Sequence, residues 1–304
     1  MTTFTPAVPV ASPQNPGDGS ALDRVRLAPL MGRTAGRPEV TIGVIDGPVD
    51  LEHPDLEQRS IRALAGRPSS CSGEDVACIH GTFVAGILAA RRGTAAPAIC
   101  PACTLVLRPI FGASRTRGVP SATPPELAAA IRECIESGAR IVNVSAALTS
   151  TRGDEQGVLA QALDLAVRRG ALVVVAAGDQ ATLASSILTR HPWALPVVAC
   201  AVSGRPVASA TLSRSTGTHG LCAPGDVISL APGGGRRRLV GSSAAAPFVT
   251  GAAALIWSQY PGAHVSEIRL ALTGGGRRSS VVPPLLDAWS AYCELTRKRG
   301  DSRA

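Results

Sequence analysis

Three residues far apart in the chain carry side chains that together can perform acyl transfer: Asp46, His80 and Ser243. A serine hydroxyl is a weak nucleophile until a base removes its proton. A histidine supplies that base near neutral pH, and a carboxylate fixes the histidine's tautomer and stabilises its charged form. Each residue also has an ordinary structural reading. Asp46 opens the turn Asp46-Gly47-Pro48, His80 precedes the apolar stretch GTFVAGIL, and Ser243 lies in GSSAAAPFV, where a serine followed by small residues and a proline suits a helix start. Small neighbours around Ser243 would equally let a substrate backbone approach its oxygen. The combination, more than any single residue, points to chemistry.

Such groups need a scaffold, and the hydrophobic pattern supplies one. Short apolar, β-branched runs at Val40 to Ile45, Thr104 to Pro109, Ile141 to Val144, Ala171 to Ala176 and Val197 to Val202 read as buried strands. Between them, Gly81 to Arg91, Pro125 to Ser137 and Gly157 to Arg169 carry small and apolar residues at helical spacing, the last two ending at glycines. Strands that are apolar on both faces and alternate with helices predict an α/β fold, a three-layer α/β/α sandwich around a mainly parallel sheet. In such sheets, active groups gather at the carboxyl ends of the strands and the helix starts that follow. Asp46 ends the first predicted strand, and His80 and Ser243 stand at predicted helix starts.

Composition narrows the function. With 304 residues, 45% of them hydrophobic, the chain can bury one large core. The Pro-rich residues 1–38 read as a flexible lead, 39–290 as the folded domain, and 291–304, ending RKRGDSRA, as a basic tail. Net charge is +8, but the arginines form scattered short clusters, among them Arg236 to Arg238, and aromatics are only 3%, which disfavours a nucleic-acid surface. No apolar run is long enough to span a membrane and no secretory segment is visible, so a cytoplasmic location is expected. Of the eight cysteines, Cys134, Cys200 and Cys222 read as small core residues. Cys71 with Cys78, and Cys100 with Cys103, are spaced for a disulfide, free thiols or a zinc site; no metal or cofactor is expected.

The words around the three residues are more specific than their types. IGVIDGPVDLEHPDL, HGTFVAGILAA and GSSAAAPFVTGAAALI resemble, in this order, the Asp, His and Ser motifs of the subtilisin-like serine peptidases (family S8), over about Val40 to Trp257. The DGPVD wording is similar, more narrowly, to the maturation proteases of cyanobactin and related ribosomal peptide pathways. The resemblance implies Ser243 as nucleophile, His80 as general base and Asp46 as its orienting acid, with the Ser243 backbone N–H pointing at the oxyanion. It also implies that Ser145, Ala146 and Ala147, with Gly178, form the edge along which an extended peptide pairs. The stretch ARRGTAAPAIC lacks the acidic and amide residues of the calcium loop found in secreted relatives.

One position departs from the pattern. The family's AAGN, whose Asn donates to the oxyanion, stands here as Ala176-Ala177-Gly178-Asp179. Within that family, losing this donor costs about 2.7–4 kcal/mol of transition-state stabilisation. Asp179 can donate only if burial keeps it protonated, in which case Asp179→Asn should raise turnover and extend activity toward alkaline pH. Otherwise the enzyme is slow and dedicated, or the chain is a pseudoprotease that binds peptides. The leading expectation is an endopeptidase acting through an acyl-enzyme on a dedicated precursor peptide. A peptide-binding pseudoenzyme and a general intracellular degradative protease are the alternatives.

Overall fold

A computed structural model of the chain describes residues 21–57, 59–64, 71, 75–111, 122–145, 153–181, 186–275, 278 and 280–301. Seven strands form one sheet: β1 (Thr41–Asp46), β2 (Ile61–Ala63), β3 (Thr104–Pro109), β4 (Ile141–Val144), β5 (Leu172–Ala176), β6 (Ala194–Cys200) and β7 (Leu221–Pro224). Their order is β2-β3-β1-β4-β5-β6-β7, and every pairing is parallel. A separate antiparallel hairpin pairs β8 (Asp226–Ala231) with β9 (Gly235–Val240). The helices are α1 (Ala21–Arg24), α2 (Ala28–Arg33), α3 (Val76–Ala89), α4 (Pro124–Glu136), α5 (Gly153–Arg168), α6 (Ile187–Arg190), α7 (Arg214–His219), α8 (Ser242–Gln259), α9 (Val265–Thr273) and α10 (Ala288–Asp301).

The apolar strands serve two cores at once, because successive side chains on a strand point to opposite faces. Ile141, Leu172 and Val174 join α3 and α8 in one core, whereas Val142, Val144, Val173 and Val175 join α4 and α5 in the other. Helices therefore cover both faces of the sheet, giving the three-layer, subtilisin-like arrangement expected from the sequence. α8 is buried along nearly its whole length, so the small residues of its first turns pack beneath the sheet's carboxyl edge. That packing fixes the helix start where Ser243 lies.

Two expected boundaries are corrected by the packing. Residues 21–38 belong to the fold: Val25, Leu27 and Leu30 are buried in the α3/α8 core, and Ala288 N–H donates to the Val25 carbonyl at 2.9 Å. At the other end, α10 starts before residue 291, with Ala288, Ala291, Tyr292 and Leu295 buried. Those four positions follow helical spacing, a signal hidden by the charged residues around them. The guanidinium of Arg33 in α2 stacks over the rings of Trp289 and Tyr292 at 5.3 and 5.4 Å, joining the two termini. Residues 1–20 and 302–304 lie outside the described residues.

Cysteine usage is also partly corrected. Cys71 and Cys78 form a disulfide, one of the options open from their spacing, and Cys100 and Cys103 are buried and free. Cys134 is a buried free thiol, as read from its apolar surroundings. Cys200 and Cys222 instead form a second disulfide. In the parallel register Val198 lies opposite Cys222 and Cys200 lies two residues further along β6. Both side chains thus share a face, with Cα atoms 5.8 Å apart. Local apolar context cannot reveal a partner on the neighbouring strand.

Candidate active site

Asp46 closes β1 at the carboxyl edge of the sheet and is 1% exposed. Its Oδ1 accepts the Gly47 N–H at 2.6 Å and the His80 Nδ1–H at 2.7 Å. Because an ionised carboxylate only accepts, His80 carries its proton on Nδ1 and leaves Nε2 free to accept. Ser243 Oγ lies 2.8 Å from that Nε2 and donates to it. His80 does not precede its helix as the sequence suggested. α3 begins five residues earlier, where the Asp75 side chain caps it by accepting the Ala77 N–H at 3.1 Å, so His80 stands in its second turn. The Asp75 cap was legible in CSGEDVAC but stands ahead of the apolar run used to place the helix.

Two glycines let α3 approach this closely. A Cβ on Gly47 would run into the Ala77 carbonyl, and one on Gly81 would run into the carbonyls of Gly47 and Pro48. The turn after β1 and the helix carrying His80 are thus in backbone contact, which brings Asp46 and His80 within hydrogen-bonding distance. Thr82, buried two residues after His80, accepts the Asp50 N–H at 2.9 Å and ties the same loop to α3.

At the start of α8, Asp179 does something the sequence reading did not foresee. Both of its carboxylate oxygens lie 2.9 Å from the Ser242 N–H, and Oδ2 also accepts the Ser242 hydroxyl at 3.0 Å. Ser242 Oγ in turn accepts the Gly178 N–H at 3.0 Å. The carboxylate therefore acts as an acceptor that caps α8, the helix that carries Ser243, and the expectation that it donates to an oxyanion is corrected. Gly241 makes room for it: its φ is +152°, and a Cβ there would stand 2.8 Å from Asp179 Oδ2. Ala244 and Ala245 direct their N–H groups at the Gly241 carbonyl. The Ser243 N–H has no partner among the described residues and is the free donor beside Ser243 Oγ.

The electrostatics follow from these contacts. Burial pulls the His80 pKa down, but the charge of Asp46, its hydrogen bond and the charge of Asp179 outweigh burial and hold it above 6.5. Burial raises Asp179 above the ordinary carboxylate value of 3.8, against the lowering effect of the Ser242 hydrogen bonds and of His80.

Of the expected substrate edge, Ser145 and Gly178 are described, while Ala146 and Ala147 lie outside the described residues. Ser145 continues β4 beside Asp46, donating its N–H to the Ile45 carbonyl at 3.3 Å. Its hydroxyl accepts from Asn143 Nδ2 at 2.8 Å, and Asn143 Oδ1 accepts from Thr250 of α8 at 2.8 Å. This fully buried link between β4 and the Ser243 helix was missed from sequence. Its signal was a polar residue at the centre of the apolar strand IVNV, which must find partners when buried. Among the described residues, no group of three His, Cys, Asp or Glu side chains is placed to hold a metal ion, and no helix is long and apolar enough to cross a membrane.

A parallel α/β sandwich with a hydrogen-bonded Asp, His and Ser at its carboxyl edge defines a class, the serine peptidases of the subtilisin architecture. Residues 37–274 match the subtilase family, Peptidase_S8, and the chain belongs to that family of serine endopeptidases. It is 30% identical to subtilisin DY of Bacillus licheniformis over 76% of this chain and 81% of that one. It is likewise 30% identical to subtilisin Savinase of Lederbergia lenta over 82% and 87%. Among solved structures, the protease domain of PatA matches with a TM-score of 0.79 at 28% identity, covering 86% of this chain and 97% of that one. The prenylagaramide maturation protease PagA matches with a TM-score of 0.77 at 28% identity, covering 88% and 98%. The PatG macrocyclase domain, at 21% identity and a TM-score of 0.79, shares the fold.

Proposed function

We propose that this chain cleaves peptide bonds through an acyl-enzyme on Ser243, with His80 as general base and acid and Asp46 as the orienting carboxylate, and that its substrate is a dedicated precursor peptide. The observation that carries the reading is the continuous hydrogen-bond chain from Asp46 through His80 to Ser243, at 2.7 and 2.8 Å. As Ser243 Oγ attacks the carbonyl carbon, its proton passes to His80 Nε2, and Asp46 stabilises the imidazolium. The carbonyl oxygen becomes an oxyanion facing the Ser243 N–H. Collapse breaks the C–N bond, His80 returns the proton to the leaving amine, and water repeats the sequence to release the acid. Ser145, which follows β4 beside β1, and Gly178, which donates to Ser242 at the α8 start, are the described residues along which an extended substrate would pair.

The precursor class is supported by likeness to PatA and to PagA, the latter a maturation protease by name. With Asp179 occupied as a cap, the site has one free backbone donor among the described residues, which suits slow action on one substrate better than broad digestion. The test is labelling of Ser243 by a fluorophosphonate probe, together with digestion of unrelated unfolded proteins and of short peptides encoded beside the gene. Labelling with cleavage of an adjacent-encoded peptide alone supports the proposal. Broad digestion would favour a degradative protease, and absence of labelling would leave a peptide-binding pseudoenzyme. The cytoplasmic location expected from sequence sits poorly with two disulfides, since reducing compartments keep such thiols free.

A further inference from the structure

The cluster Arg236-Arg237-Arg238 is scattered charge in the sequence, but the fold gives it a place. It occupies the middle of β9, whose last residue, Val240, is followed directly by Gly241 and the Ser242-Ser243 helix start. Among the described residues β9 pairs only with β8, so half of its backbone N–H and C=O groups face away from the ladder. All three arginines are exposed. Arg238 is held by Asp226, its Nε donating at 2.6 Å. Arg236 and Arg237 have no acidic partner among the described residues. Asp50, from the loop after β1, meets the hairpin at its turn instead: Oδ2 accepts the Gly233 N–H at 2.8 Å and Oδ1 the Glu52 N–H at 3.1 Å. Exposed Leu51, at 47%, and Val240, at 45%, provide apolar surface on the same hairpin and on the loop that follows Asp46.

We propose that the free edge of β9 is a docking strand for an acidic, extended segment of the peptide substrate, which Arg236 and Arg237 recognise as it runs to or from Ser243. The proposal rests on the peptidase reading above. An extended peptide joining a sheet edge gains backbone hydrogen bonds independent of sequence, and the flanking arginines select carboxylates by charge. Arg237 lies six residues before Ser243, at most about 20 Å along the chain, because β9 ends at Val240 and Ser242 and Ser243 are already helical. The acidic residues would therefore stand within about seven positions of the cleaved bond. An acidic occupant is favoured over a second copy of this chain, because pairing two β9 edges would bring the arginines of both copies together. Charges on edge strands also serve to keep chains apart, and the experiment separates the two uses.

Quenched fluorescent peptides of mixed core sequence would be made in matched pairs, with four glutamates or four glutamines spanning positions four to seven from the cleaved bond on one side or the other. The expected result is that, at low salt, the enzyme cleaves one glutamate set with kcat/KM about three- to tenfold above its glutamine partner. Molar salt, or the double substitution Arg236→Glu and Arg237→Glu, should remove the preference while glutamine peptides are cut unchanged. The same peptides, labelled and titrated against Ser243→Ala, report binding without turnover. Glutamate preference in binding, with neither cleavage nor fluorophosphonate labelling of Ser243 in the native chain, would uphold the docking strand and overturn the peptidase reading. Equal binding and equal cleavage of both sets would overturn the docking strand, leave the peptidase reading standing, and reduce the arginines to guards of an open edge.

Discussion

At the scale of single residues, the site rests on one proton path and one cap, and each makes a separate demand. Ser243→Ala removes the oxygen of the proposed nucleophile and nothing that supports α8, since the helix start is held by Asp179 and Ser242. Cleavage and fluorophosphonate labelling should be lost, while stability changes by no more than about 1 kcal/mol. Residual turnover at the native rate would place the nucleophile elsewhere. The pH profile follows from His80, which must be neutral to accept the serine proton. Its pKa is held above 6.5, so the acid limb of kcat/KM should lie above that value. The charge of Asp179 contributes to that elevation. Asp179→Asn should therefore lower the His80 pKa and move the acid limb to lower pH, with the fold retained because an amide oxygen still accepts the Ser242 N–H. A limb that stays in place would mean that Asp179 does not act on His80 through its charge. The alkaline extension foreseen from sequence required a protonated, donating Asp179, and its contacts with Ser242 remove the basis for it.

At the scale of elements, close backbone approach does the positioning. Gly241 is the hinge between β9 and α8, and an added methyl would push against the Asp179 carboxylate. Gly241→Ala is expected to shift the helix start and lower kcat/KM about 10- to 100-fold, since displacements near 1 Å can cost about that much; an unchanged rate with unchanged thermal stability would refute the tight fit. Alkylation and intact-mass measurement without reductant should find four of the eight cysteines blocked, as two pairs. Much of this architecture was legible beforehand. TLVLRP and IVNV match β3 and β4 residue for residue, because buried parallel strands leave an uninterrupted apolar run. β6 was read three residues late, since Pro196 within ALPVVAC masks the beginning of the strand. Asp46, His80 and Ser243 could be singled out because each stands in a distinctive local word. The Asp179–Ser242 cap, the Asn143–Thr250 link and the Cys200–Cys222 pair were not, because each joins segments whose proximity only the folded sheet creates.

At the scale of the whole molecule, the two ends of the described chain close over the same core. α10 packs on α9 and α2, with Tyr292 set between Tyr260 and Trp289 at ring distances of 5.9 and 5.3 Å. Arg26 pairs with Asp287 at 2.9 Å, and Arg299 with Glu267 at 2.8 Å; these exposed pairs orient the helix but add little energy. The apolar stripe carries the stability. Leu295 is 1% exposed, in a region the composition marks as a basic tail. Leu295→Ala removes buried methyl groups and leaves a cavity beneath α10, at a cost of about 2–5 kcal/mol. For a domain of this size that corresponds to a fall in Tm of roughly 5–15 °C. Asp46, His80 and Ser243 lie at the carboxyl edge of the sheet, and among the described residues no hydrogen bond or ion pair joins them to α10, so kcat/KM at 25 °C should stay within about twofold of the native value. Thermal unfolding and a single kinetic assay on the same preparation decide the matter. A Tm unchanged within a degree would mean that the chain beyond Asp287 hangs free and that the domain ends where its sequence turns basic. A lowered Tm with intact kinetics would make the terminal helix part of the domain that holds Asp46, His80 and Ser243 in register.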